Sequence, residues 1–225
     1  MTPPEETSPQ KERLARALRG LIEGLTMVEL PADILANLAT EIERQSATLH
    51  GFPTRTARKT FGQASSADDR RSFREHSPLT GICSPIAPPL SLRTETDQDG
   101  RQRVVGEVRF GWAYEGPPGH VHGGYVAAIF DELLGFAQTL SGKTGMTGKL
   151  TTRFRSPTPL HTPLTLVGTF DRMDGRCIQT TGKLYAGDQL TADAQGLFVQ
   201  LEPAHLDSLD EARVEVMRRA KSKYR

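Results

Sequence analysis

Hydrophobic positions recur with two different periods along this chain. Leu14, Leu18, Leu21, Ile22 and Leu25 lie three or four residues apart, which predicts a helix over residues 11–26. Asp33, just after Pro31, offers an N-cap, and Ile34, Leu35, Leu38 and Ile42 mark one face of a second helix. Residues 1–10 are polar and expected to be disordered. Residues 51–77 mix charges without a period and read as linker or surface. From residue 90 the period becomes two. Leu90 and Leu92 alternate with polar residues, as do Val104, Val108, Phe110 and Trp112, with Gly106 at an inward position. Asp97, Asp99 and Gly100 supply the turn between these two strands. A glycine-proline loop follows, and residues 125–140 are then apolar almost all round, as in a buried helix. Residues 147–155, 164–171, 177–186 and 190–201 alternate as strands, with turns at Ser156-Pro157, Asp174-Gly175 and Gly187-Asp188. Residues 207–225 read as a charged, exposed helix. One buried helix among antiparallel strands predicts an α+β fold, a curved sheet wrapped around that helix.

Composition narrows the function classes. The 225 residues are 36% hydrophobic and 24% charged, enough for a packed core. A net charge of +1 supplies no field to draw the chain to nucleic acid. Two cysteines, Cys83 and Cys177, make neither a disulfide framework nor a four-thiolate metal site. The polar, acidic start has no apolar core of a secretory signal, and the longest apolar-rich run contains Asp131 and Glu132. A reduced, cytoplasmic protein without a membrane span is expected.

The segment with chemical character is His120-Val-His122-Gly123-Gly124, followed by Asp131. The first N–H groups of a helix lack internal partners and carry the positive end of its dipole. Glycines there let a ligand approach the backbone, so Gly123 and Gly124 form a possible oxyanion site. Asp131, among Ile129, Phe130, Leu133 and Leu134, is a carboxylate whose burial needs a partner or a task. It is a candidate general base or nucleophile. Gly123 and Asp131 are eight residues apart, roughly 12 Å along a helix. One helix can hardly bring both to one carbonyl, but two antiparallel copies can. A shared site therefore implies a two-fold dimer.

The stretch 85–201 resembles the hotdog-fold acyl-CoA thioesterases of the 4-hydroxybenzoyl-CoA thioesterase superfamily, in the branch of PaaI-like and Them-type enzymes. The matching residues are Ser84-Pro85, Ala87-Pro88-Pro89-Leu90, His122-Gly123-Gly124, Asp131 nine residues past the histidine, Thr147, the run Arg155-Ser156-Pro157-Thr158-Pro159-Leu160, and the strand 192–201. The resemblance implies a hotdog domain over residues 78–203, with an N-terminal helical extension and linker (1–77) and a helical tail (204–225). It implies hydrolysis of a fatty or aromatic acyl-CoA to free acid and CoA. Coenzyme A enters as part of the substrate, with no other cofactor and no metal. The protein would be a dimer or a dimer of dimers. In that scheme the Gly123 N–H, helped by Gly124, polarises the thioester carbonyl and His122 orients the substrate or loop. Asp131 of the partner subunit activates water or attacks directly, and Thr147 holds the water or carboxylate. Lys149, Arg153 and Arg155, expected to share the strand face of Thr147 by period two, are candidates for the CoA phosphates, with Ser156 beside them.

Other readings compete. A hotdog protein can bind acyl-CoA without hydrolysing it, and related folds hydrate or dehydrate acyl thioesters, though with histidine and acid in a different register. His120 and His122 lack a third ligand at metal spacing. Glu132 should point away from Asp131 and reads as helix surface or interface. Ser141-Gly142-Lys143-Thr144 follows a helix instead of opening one, so it is no phosphate loop, and neither G-x-G-x-x-G nor G-x-S-x-G occurs. The N-terminal helices could cap an acyl tunnel or bind a partner, but their spacing equally suits packing on their own core.

Overall fold

The computed structural model describes residues 7–49, 51–52 and 75–200, with Ala212, Glu215, Val216 and Arg219. Most of the expected linker and most of the C-terminal tail lie outside the described residues. Two compact units are present. One combines helix α1 (Thr7–Met27), through Thr26, with the sheet and its central helix; the other contains helix α2 (Ala32–Leu49).

The first unit is a six-stranded antiparallel sheet. Its strands are β1 (Ser91–Thr96), β2 (Gln102–Val108), β3 (Met146–Phe154), β4 (Leu164–Asp174), β5 (Cys177–Ala186) and β6 (Gln189–Val199), in the order β1-β2-β4-β5-β6-β3. Helix α3 (Gly123–Ala137) packs against β2, β3, β4, β5 and β6, so the sheet wraps it as expected of a hotdog fold. Val126, Ile129, Phe130, Leu133, Leu134 and Ala137 are buried, a set three and four residues apart that faces the sheet. The sheet makes room with small residues. Gly168 pairs with Gly182, and Gly182 with Ala194, in one row across three strands. A Cβ at Gly168 would lie 2.9 Å from Leu133 Cγ, and one at Gly182 would lie 3.0 Å from Leu133 Cδ2. Bare backbone in this row lets the helix sit close to the sheet.

Several element ends differ from the sequence expectation. α1 begins at Thr7, so residues 7–10 are helical. Asp33 lies inside the first turn of α2, where it favours the helix dipole instead of capping it. No residue of α2 is buried; Ile34, Leu35 and Ile42 are exposed in their unit. Strand β2 stops at Val108, and Trp112 opens a 3-10 turn (Trp112–Tyr114). The apolar run expected to form one helix to residue 140 ends as α3 at Ala137 and tightens into a 3-10 turn over Gln138–Ser141. The expected glycine turns are present, Gly175 and Gly187 having φ of 55° and 59°.

Candidate active site

His122 sits at the N-cap of α3, its backbone extended at φ −60° and ψ 131°. Its Nδ1 accepts the Gly124 N–H at 3.0 Å. The Tyr125 N–H donates to the His122 carbonyl at 2.9 Å. The Gly123 N–H donates no hydrogen bond among the described residues. It is therefore the amide of the first turn that can meet an oxyanion, while the Gly124 amide is already engaged. The Phe154 ring lies over Gly123: a Cβ there would come within 3.3 Å of it, so the ring would have to shift to admit a side chain.

The loop leading into α3 is pinned at several points. The His122 N–H donates to the Tyr114 carbonyl at 2.9 Å, and the Val121 N–H to the Thr158 carbonyl at 2.8 Å. The Gly119 N–H donates to Glu115 Oε1 at 2.6 Å, with Gly119 at φ 73°. His120 bridges to Pro159, and its Nδ1 lies 2.8 Å from the Pro118 carbonyl. His120 is thus a loop anchor. Among the described residues no cluster of three His, Cys, Asp or Glu could hold a metal.

Asp131 projects from the side of α3 opposite the core. With 100° per residue, Gly124, Ala128, Asp131 and Gly135 form one stripe, and none of them is buried. The Thr147 hydroxyl donates to Asp131 Oδ1 at 2.8 Å, fixing the carboxylate and leaving its second oxygen for other work. The Thr147 contact depends on a bulge. Thr147 pairs with buried Phe198, but Lys149 pairs with Leu197, so Gly148 is an extra residue in β3. The bulge turns Thr147 toward α3 and Lys149 and Arg153 to the opposite, outer face. The expectation that these cations share the face of Thr147 is corrected accordingly: strict alternation fails across the bulge.

The cations also differ from one another. Arg155 forms an ion pair with Asp193 through its Nε, which raises its pKa and ties the side chain to β6. The side chains of Lys149 and Arg153 are exposed and make no hydrogen bond or ion pair among the described residues. Ser156 is half-buried and hydrogen-bonds the Leu190 carbonyl (3.3 Å) and the Gln189 amide (3.1 Å). Those bonds tie the end of β3 to β6.

Three features were missed from sequence. Glu132 is half-buried and accepts from Ser77 Oγ at 3.2 Å; burial raises its pKa, Asp131 adds to the rise, and the Ser77 bond opposes it. It does diverge from Asp131, as one residue of helix requires, but toward a covering segment instead of solvent. Tyr125 stacks edge-on against Tyr114, with ring centres 4.9 Å apart. Burial pushes the Tyr114 phenol up to about 12, so it stays a donor, here to the Ile86 carbonyl at 3.2 Å. Finally, Glu23 of α1 accepts the Trp112 N–H at 2.9 Å and the Ala113 N–H at 3.3 Å, capping the 3-10 turn. No local pattern marks Ser77, Glu23 or Trp112 as partners of residues so distant in the chain.

A hotdog sheet around a helix whose amino end is open and glycine-lined defines a class of thioester-handling proteins, and comparisons agree with it. The family model of the thioesterase superfamily matches residues 118–192. A solved structure described as a thioesterase superfamily protein is 35% identical, with a TM-score of 0.72 over 88% of this chain and 97% of that one. Acyl-coenzyme A thioesterase THEM4 of Bos taurus is 32% identical over 104 residues, 45% of this chain and 43% of its own length. Acyl-coenzyme A thioesterase THEM5 of Homo sapiens is 31% identical over 90 residues, 39% of this chain and 36% of its own length. The chain thus spans less than half the length of these curated relatives. It belongs to the thioesterase superfamily.

Proposed function

We propose that this protein is an acyl-CoA thioesterase working as a homodimer, with Asp131 of one subunit and the Gly123 N–H of the other acting on one carbonyl. The observation that carries this reading is the pairing of an unengaged Gly123 amide with a carboxylate that Thr147 holds on the face of α3 turned from the core. The names of the curated relatives support the substrate class. Asp131 takes a proton from water as the water oxygen attacks the thioester carbon. Negative charge on the carbonyl oxygen is met by the Gly123 N–H and the dipole of α3. The C–S bond then breaks, and the thiolate leaves with the proton as CoA-SH.

Two features support the dimer. Strand β3 ends the sheet, and none of its residues is buried. A bare edge with unpaired backbone groups is suited to pairing with a second copy. The stripe of small residues on α3 beside it suits close approach of another helix. Lys149 and Arg153 are proposed for the CoA phosphates, since neither is paired among the described residues; Arg155, held by Asp193, is less available.

The test is release of free thiol from a series of acyl-CoAs, with wild type and Asp131→Asn side by side. Loss of a general base costs on the order of 10²–10⁴ in rate. The expected outcome is that loss in kcat with the dimer intact. Wild-type turnover in Asp131→Asn would exclude the mechanism, and saturable binding of acyl-CoA without thiol release would favour a binding protein.

A further inference from the structure

A cavity of about 340 Å³ lies between α1, residues 85–89 and the start of α3. That volume is within the range of roughly 300–1,000 Å³ typical of small-molecule sites. Ile22 from α1, Ile86 and the prolines of the 85–89 segment, and the rings of Tyr114 and Tyr125 make its surface mostly apolar. Tyr125, which lines the cavity, lies in the first turn of α3, two residues after Gly123.

We propose that α1 forms a wall of the acyl-chain site and that Gly20 and Ile22 set the length of fatty acyl chain accepted. The inference rests on the thioesterase reading for its substrate. It concerns an element that contributes nothing to the sheet or to the reacting groups. Four observations carry it. First, α1 is fixed in place. Glu23 holds the Trp112 and Ala113 amides, and Arg19 donates to the carbonyls of Ser84 at 2.6 Å and Ile82 at 3.3 Å. Gly111 admits the Glu23 carboxylate, since a Cβ there would meet it at 2.5 Å. Second, the two charged side chains that α1 brings to the cavity, Arg19 and Glu23, are both turned to backbone groups, and the cavity surface is mostly apolar. Third, Arg109 also lines the cavity, exposed and without a hydrogen bond or ion pair among the described residues, while the surface as a whole is mostly apolar. That polarity suits a chain with an apolar body and a polar head. Fourth, Gly20 lines the cavity, and a Cβ there meets nothing within 4 Å. A side chain at this position would grow into open space and displace neither backbone nor core.

The test uses Gly20→Leu to shorten the cavity, Ile22→Ala to lengthen it, and Lys11→Leu as a control outside the cavity. Gly20→Leu replaces a poor helix former with a good one, which guards the fold. Two readouts are taken. One is the chain-length profile of thiol release from saturated acyl-CoAs. The other is equilibrium binding of hexanoate and dodecanoate, read from the fluorescence of Trp112, the sole tryptophan, which stands between the lining residues Gly111 and Ala113. Gly20→Leu is expected to weaken dodecanoate binding at least tenfold while sparing hexanoate, and to move the profile toward short chains. Ile22→Ala moves the profile the other way, and Lys11→Leu leaves both readouts as in wild type. Binding and profile unchanged in both cavity variants would overturn the proposal while leaving thioesterase activity in place. No thiol release from wild type, with dodecanoate binding still weakened by Gly20→Leu, removes the thioesterase reading and keeps the cavity assignment.

Discussion

At the scale of single residues, two neighbouring acids on α3 have different fates because a helix turns about 100° between them. Asp131 meets Thr147 on the open side, and Glu132 meets Ser77 under a covering segment. Burial holds the Glu132 carboxyl above its ordinary range, so the folded state binds that proton more tightly than the unfolded state. Between the ordinary and the raised pKa the native protein holds more protons, and stability falls as pH rises through that window. Glu132→Gln should remove this loss. Its melting temperature should gain on wild type between about pH 4 and about pH 7. An equal gap at both pH values would mean that Glu132 stays ionised in the fold. Asp131 could be singled out from sequence, because its apolar neighbours and its distance from the glycines are local facts. The role of Glu132 could not, because Ser77 is 55 residues away.

At the scale of elements, alternation found every strand, since a sheet with one face on a helix demands period two. It failed where the backbone broke the period. The extra residue at Gly148 turns Thr147 to the inside and Lys149 and Arg153 to the outside. The trough of Gly168, Gly182 and Ala194 beneath α3 was equally hidden, because its members are neighbours across strands, not along one. Filling it should be costly. In Gly182→Val the new Cβ begins 3.0 Å from Leu133 Cδ2, and overpacking of this kind costs about 1–3 kcal/mol. Denaturant unfolding is the measurement; a variant as stable as wild type would show that α3 can lift off the sheet freely. In α2 the helical period was read correctly, yet none of its residues is buried.

At the scale of the whole molecule, the proposed site needs two chains, and this can be tested without a structure of the dimer. Asp131→Ala and Gly123→Val each disable one half of the site; the valine would also press on Phe154. Mixed dimers of the two variants carry one intact site and one doubly damaged site. Random exchange makes half of the dimers mixed, so activity should recover to about a quarter of wild type. No recovery after exchange would place both groups' work within one chain. Sequence by itself determined the order of the α-helices and strands among the described residues, though not the two 3-10 turns, and it marked the glycine start of α3 and the spacing of Asp131 from it, because these depend on periods and distances along one backbone. Tertiary structure alone decided which face Thr147 occupies, that Arg155 is taken by Asp193, and that Glu23 and Arg19 bind α1 over a cavity beside Tyr125. Those outcomes depend on register shifts and on contacts between distant segments, which no local pattern records.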